Sequence, residues 1–134
     1  MAGLAENLKA QDGYYLDGGT VPQNTTLNSS SIRTELGGIN GAQEVYVVAA
    51  TDIVLADTKT IAINIEDSAD DSTFVFLAEA YAATASGETT IDAGTEIGRV
   101  ILPTNARTFT RVAVTTTDAT ATGTVDSYLR YIAR

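Results

Sequence analysis

The chain has 134 residues, a formal net charge of −9 and no cysteine, histidine or tryptophan. That length suits one domain with an ordinary apolar core. The missing residue types exclude disulfide and thiolate chemistry, the usual general base and the commonest zinc ligand. So acidic a surface also repels nucleic-acid phosphates and anionic lipid.

The chain begins MAGLAENLKAQDG. This start lacks the basic and long apolar regions of a secretory signal, and no apolar run approaches the ~20 residues that span a bilayer. The expectation is a chain made in the cytosol, with neither nucleic acid nor membrane as a partner. Leu4 and Leu8, spaced i,i+4, predict a short helix over residues 3–10, which would hold only against a surface, its own or a partner's.

Residues 13–41 are rich in Gly, Asn, Ser and Thr around an apolar island, Tyr14, Tyr15 and Leu16. A stretch this long with so little pattern is unusual inside a compact domain. Residues 1–30 therefore read as an N-terminal arm, and residues 31–134 as the folded domain. The arm has two readings: it wraps its own domain as an edge strand, or it reaches a neighbour. Tyrosines are enriched at interfaces, so the pair favours the second.

From Ser31 onward, period-two runs separated by turn residues follow one another. SIRTEL is a short strand; AQEVYVVAATDIVLA is a strong one, bent near Ala50 and Thr51. TKTIAINIE places Ile61, Ile63 and Ile65 on one face. After the acidic break DSADD, STFVFLAEAY sets Phe74, Phe76, Ala78 and Ala80 against Val75, Leu77, Glu79 and Tyr81. TTIDAG, EIGRVILP, TFTRVAVTTT and TGTVDSYLRYIA complete the series. Strands every 8–12 residues with turns between them predict an all-β fold, an antiparallel β-sandwich of jelly-roll type.

Candidate chemistry is sparse. Asp67, Asp70 and Asp71 crowd one turn and form a weak candidate Ca²⁺ site, though the spacing is not that of the helix–loop–helix calcium loop. No phosphate-binding glycine loop and no nucleophile elbow occurs, and nothing singles out a carboxylate pair. No enzyme and no cofactor is expected. Arg99, Arg107 and Arg111 have two readings: pairing with carboxylates on a partner, or with this chain's own Asp and Glu.

Four pieces in order, Asp67 to Phe74, Ala93 to Pro103, Phe109 to Arg111 and Thr122 to Val125, resemble the capsid cement (decoration) proteins of tailed bacteriophages, of jelly-roll type. In that family a strand enters an acidic turn ending in Ser/Thr-Phe, and an Ala-Gly turn leads to a strand ending in Leu-Pro. An aromatic-x-Arg strand and a Thr- and Gly-containing turn into the last strand follow. The resemblance implies a non-catalytic structural virion protein. It would sit on the outside of the head, bind the major capsid protein and act as a dimer or trimer. The interface expected on this reading takes Leu4, Leu8, Tyr14, Tyr15 and Leu16 from the arm, with Arg99, Arg107 and Arg111 from the domain. The alternative is a carbohydrate-binding or host-surface-binding sandwich module of a virion, with Tyr81 and Tyr128 as solvent-facing stacking residues.

Overall fold

The computed structural model describes residues 13–33, 41–103 and 105–133. They form eleven strands: β1 (Tyr14–Thr20), β2 (Thr26–Asn28), β3 (Ile32–Arg33), β4 (Gly41–Ala49), β5 (Ile53–Leu55), β6 (Thr60–Ser68), β7 (Val75–Thr84), β8 (Thr89–Ile91), β9 (Glu96–Ile101), β10 (Phe109–Thr116) and β11 (Thr124–Ala133). The fold is all-β and antiparallel, as the alternation predicts. The helix expected over residues 3–10, with Leu4 and Leu8, lies outside the described residues.

The strands form one nested ribbon. β1 pairs with β11, β2 and β3 with β10, β4 with β9, β5 with β8, and β6 with β7, every pairing antiparallel. Each pair lies inside the one before it, and the acidic DSADD turn between β6 and β7 is the tip. The ribbon then rolls up: β4 pairs with β11, and β6 with β10. The result is two sheets, β1-β11-β4-β9 and β2-β10-β6-β7, with β3 continuing along β10 and β5-β8 as a small third sheet. Successive long strands alternate between sheets except at the tip, which is jelly-roll topology.

Rolling is driven by the apolar faces. Ile61, Ile63 and Ile65 of β6, Val112 and Val114 of β10, and Val45 and Val47 of β4 have no exposed surface, and together they form the slab between the sheets. The Tyr15 hydroxyl crosses this slab to the buried Thr110 Oγ1 at 2.7 Å, tying β1 of one sheet to β10 of the other. On one side β9 closes against β7. There a Cβ on Gly98 would lie 2.6 Å from the Ala80 carbonyl oxygen, so only glycine permits the approach.

Two expectations are corrected here. Of the two readings of residues 14–28, the own-domain one holds, since they form the edge strands β1 and β2; but Tyr15 and Leu16, expected at an interface, are 4% and 7% exposed and lie in the core. A register shift in β1 between Tyr14 and Leu16 explains how Tyr15 and Leu16, adjacent in sequence, both turn inward. The strict alternation read for β7 also fails. Register shifts between Ile63 and Asn64 and between Ile65 and Glu66 on β6 set Tyr81 opposite Ile63, Glu79 opposite Asn64, Ala78 opposite Ile65 and Phe76 opposite Glu66. The neighbours Ala80 and Tyr81 both pack against the core, as does Leu77, while Phe76 turns out with its register partner Glu66.

Two substitutions test this packing. Tyr15→Phe strips the buried Thr110 hydroxyl of its partner and should cost about 1–2 kcal/mol in denaturant unfolding. Gln43 is buried, and among the described residues neither its amide nitrogen nor its amide oxygen has a hydrogen-bond partner. Gln43→Met, close in shape, should therefore raise stability by about 1 kcal/mol.

Candidate functional site

The outer faces of the two sheets carry different residue sets. On the β1-β11-β4-β9 face, Tyr14, Tyr128, Tyr46 and Arg99 stand in one register row. The Tyr14 and Tyr128 ring centroids are 5.5 Å apart, and Tyr46 stacks on Tyr128 at 5.7 Å with an interplanar angle of 19°. The Arg130 guanidinium lies 4.0 Å from the Tyr46 ring centroid and that of Arg99 5.3 Å. Arg99 also donates to the Tyr46 hydroxyl at 3.1 Å. Burial, with Asp126 and Asp17 nearby, pushes the Tyr14 hydroxyl above its ordinary pKa. This is a consolidated aromatic row whose ring faces are largely occupied by one another and by guanidinium groups.

The other face differs at the end where the ribbon tip lies. All three phenylalanines of the chain gather there: Phe74 at the tip, Phe76 on β7 and Phe109 on β10. Arg111, Glu66 and Phe76 share a register row; the Arg111 guanidinium lies 4.2 Å from the Phe74 centroid, and Arg33 lies 5.8 Å from that of Phe109. Phe76 is 62% exposed and its neighbour Val75 49%. Together with Ile101 of β9 they are the exposed large hydrophobic residues among those described. An apolar, arginine-edged surface of this kind has the composition of a protein-binding patch.

The acidic turn holds this end in shape. The Asp70 Oδ1 accepts the Ser72 N–H and Thr73 N–H, each at 3.0 Å, and the Ser68 hydroxyl at 2.8 Å. The backbone N–H of Thr73, the Ser68 hydroxyl and the Ser72 N–H depress its pKa from 3.8 to about 2. Asp67 is buried. It accepts the Arg107 N–H at 2.9 Å and an Arg107 guanidinium N–H at 3.0 Å. Burial raises its pKa, but these hydrogen bonds and the Arg107 charge outweigh burial and hold the carboxyl below its ordinary range. Asp71 accepts from the Ser31 hydroxyl. The three carboxylates thus have three separate sets of partners, and among the described residues no group of three or more His, Cys, Asp or Glu is placed to hold a metal ion.

The structure divides the expected interface residues. Tyr14 and Arg99 share the tyrosine row, Tyr15 and Leu16 are core, Arg107 and Arg111 belong to the phenylalanine end, and Leu4 and Leu8 fall outside the described residues. Each of the three arginines pairs within the chain: Arg99 with Glu96 at 3.6 Å and Glu44 at 4.0 Å, Arg107 with Asp67 at 3.0 Å, and Arg111 with Glu66 at 2.8 Å. Sequence reasoning missed Tyr46, Phe76 and Val75 as surface features. The alternation read in β7 did not say which of its faces turns outward, and nothing local marks Tyr46 as a partner of Tyr128.

No protein-family model matches the sequence, and no curated protein matches it. Among solved structures the chain is similar to the PBSX exported protein XepA, with 13% identity over 89% of this chain and 36% of that one and a TM-score of 0.49. It is also similar to VP2 in an infectious bursal disease virus subviral particle, with 12% identity over 90% of this chain and 32% of that one and a TM-score of 0.46. A third is the CBM22-1–GH10 part of Clostridium thermocellum xylanase 10B complexed with xylohexaose, with 10% identity over 88% of this chain and 28% of that one and a TM-score of 0.43. The chain spans about a third of the length of each.

The turn chemistry predicts an acid-sensitive tip. The folded-state pKa of Asp70 lies below its unfolded value, so its contribution is whole above about pH 4 and is lost as pH falls through about 2. Thermal unfolding of the wild type should therefore weaken over that window. Asp70→Asn should flatten this acid limb while lowering the melting temperature at pH 7.

Proposed function

We propose that the chain is a structural virion protein: a cement or decoration protein that binds the outside of a phage head and stabilises contacts between its major capsid proteins. The observation that carries this reading is the exposed Phe76–Val75 surface, edged by Phe74, Phe109, Arg33 and Arg111, on an otherwise strongly acidic sandwich. Its arginines already face carboxylates or rings of the same chain, so binding strength comes from burying phenylalanine. Charge elsewhere keeps the free protein from self-associating at random.

The resemblance to cement proteins supports the same reading at the level of placement. The Asp67 to Phe74 segment is the ribbon tip, Ala93 to Pro103 is the turn and strand of β9, Phe109 to Arg111 opens β10, and Thr122 to Val125 opens β11. A dimer or trimer on the capsid, with residues 1–12 adding a tail contact through Leu4 and Leu8, would let many weak contacts act together. The role needs no cofactor and no catalysis.

The test is co-sedimentation of purified protein with undecorated, expanded heads of its phage. Wild type should pellet with the heads. Phe76→Ser should reduce retention by about tenfold or more while leaving the melting temperature within a few degrees, because the side chain is mostly outside the core. Deletion of residues 1–12 should weaken retention further. Retention unchanged by Phe76→Ser would remove this surface from the contact, and a wild type that never pellets would overturn the cement role.

A further inference from the structure

A cleft of about 300 Å³ opens beside the β8–β9 turn, near the small β5-β8 sheet. Its apolar part is Tyr81, Ile91 and Ile97, which are half-buried and pack against the main core. Its polar part is Thr90, Asp92, Thr95 and Glu96, all exposed. No Lys or Arg lines it. An apolar wall with a hydroxyl and carboxylate rim suits a ligand with one apolar face and an edge of hydroxyl groups.

Apart from Glu96, which pairs with Arg99, these polar groups are uncommitted, unlike most of their kind in this chain. Elsewhere threonine hydroxyls pair with one another: Thr26 with Thr115 at 2.8 Å, Thr51 with Thr124 at 2.9 Å, and Thr60 with Thr117 at 3.1 Å. Tyr15, the buried tyrosine, spends its hydroxyl on Thr110. By contrast, among the described residues no side-chain hydrogen bond or ion pair engages the Tyr81, Thr90 or Thr95 hydroxyl or the Asp92 carboxylate. Meanwhile the wall that carries them is held firmly. The Asp52 carboxylate accepts the Ala93 N–H at 2.8 Å, the Ala49 carbonyl accepts the Gly94 N–H at 2.7 Å, and the Thr95 carbonyl accepts the Ala49 N–H at 2.9 Å. Gly94 takes the positive φ of 86° that closes the turn. Free donors and acceptors on a fixed backbone bind at the cost of ordering their own side chains alone.

We infer that this cleft is a binding site for one ring of a neutral saccharide. The C–H face of the sugar rests on Tyr81 and the two isoleucines, and neighbouring hydroxyls donate to Asp92 and Glu96. Glu96 already lies 3.6 Å from the Arg99 guanidinium, which offsets its charge and makes the rim a better match for hydroxyls than for a polyamine. The site is small and open, so affinity is in the millimolar range.

Nuclear magnetic resonance titration of the ¹⁵N-labelled full chain tests it, with glucose, galactose, xylose and N-acetylglucosamine added singly and spermidine as the cationic control. At least one sugar should shift the amides of Tyr81, Ile91, Asp92 and Ile97 saturably. Asp92→Asn should weaken that binding by about tenfold. Tyr81→Phe, which keeps the core packing, should weaken it too, and Phe76→Ser should leave it unchanged whatever that variant does to capsid retention. The inference is overturned if none of the four sugars gives a saturable shift, if Asp92→Asn and Tyr81→Phe bind as wild type does, or if spermidine alone occupies these residues.

Discussion

Ile61, Ile63 and Ile65 on β6 are wholly buried, and a lone ribbon could not bury them. Their face is covered only when the ribbon rolls and the second sheet, with Val45 and Val47, comes down over it. Much else in the fold answers to that closure. Tyr15 is drawn inward to meet Thr110 across the slab, and Gly98 has no side chain because β7 passes against it. The closure also gives the chain many long-range contacts, since every ribbon pair except the tip joins residues far apart in sequence. Folding therefore has to close large loops before the apolar faces meet.

The charges follow a different rule. The chain carries eight Lys and Arg against seventeen Asp and Glu, yet Arg99, Arg107 and Arg111 all have carboxylate partners within the same chain. These pairs differ in weight. Arg99 and Glu96 are about half exposed, so solvent screens them and their contribution is small. The Asp67 carboxylate is nearly inaccessible and is also hydrogen-bonded by the Arg107 backbone, so this pair fixes the loop before β10 to the end of β6. With its cations engaged at home, the phenylalanine end presents an apolar surface with a neutralised edge. That composition suits the proposed protein contact better than capture of a free anion.

The two outer faces divide the aromatic residues by role. Tyr14, Tyr128 and Tyr46 cover their own sheet as a cross-strand ladder, an arrangement that stabilises neighbouring strands. Phe76, by contrast, is 62% exposed. The same chemical class thus serves cohesion on one sheet and exposure on the other, and the difference lies in register. On the tyrosine face three strands bring rings to one row. On the other face the register shifts between β6 and β7 turn a phenylalanine away from the slab.

By itself the sequence determined what depends on nearest neighbours. Strand alternation follows from the pleat, so the isoleucine face of β6 and the strands β9, β10 and β11 were legible, whereas the stretch read as one strand bent near Ala50 and Thr51 is two, β4 and β5, in different sheets. The acidic turn at the tip was legible too. Tertiary structure alone decided what depends on partners distant in the chain. The register shift in β1 sent Tyr15 and Leu16 into the core, and it settled between the two readings of the glycine-rich stretch around them in favour of an edge strand on its own domain. The pairing of Tyr14 with Tyr128 and of Tyr128 with Tyr46, the partners of Arg99, Arg107 and Arg111, and the cleft beside Tyr81 all arise between strands. A shift of one residue in pairing exchanges the two faces of a strand, and no local pattern records where such a shift occurs.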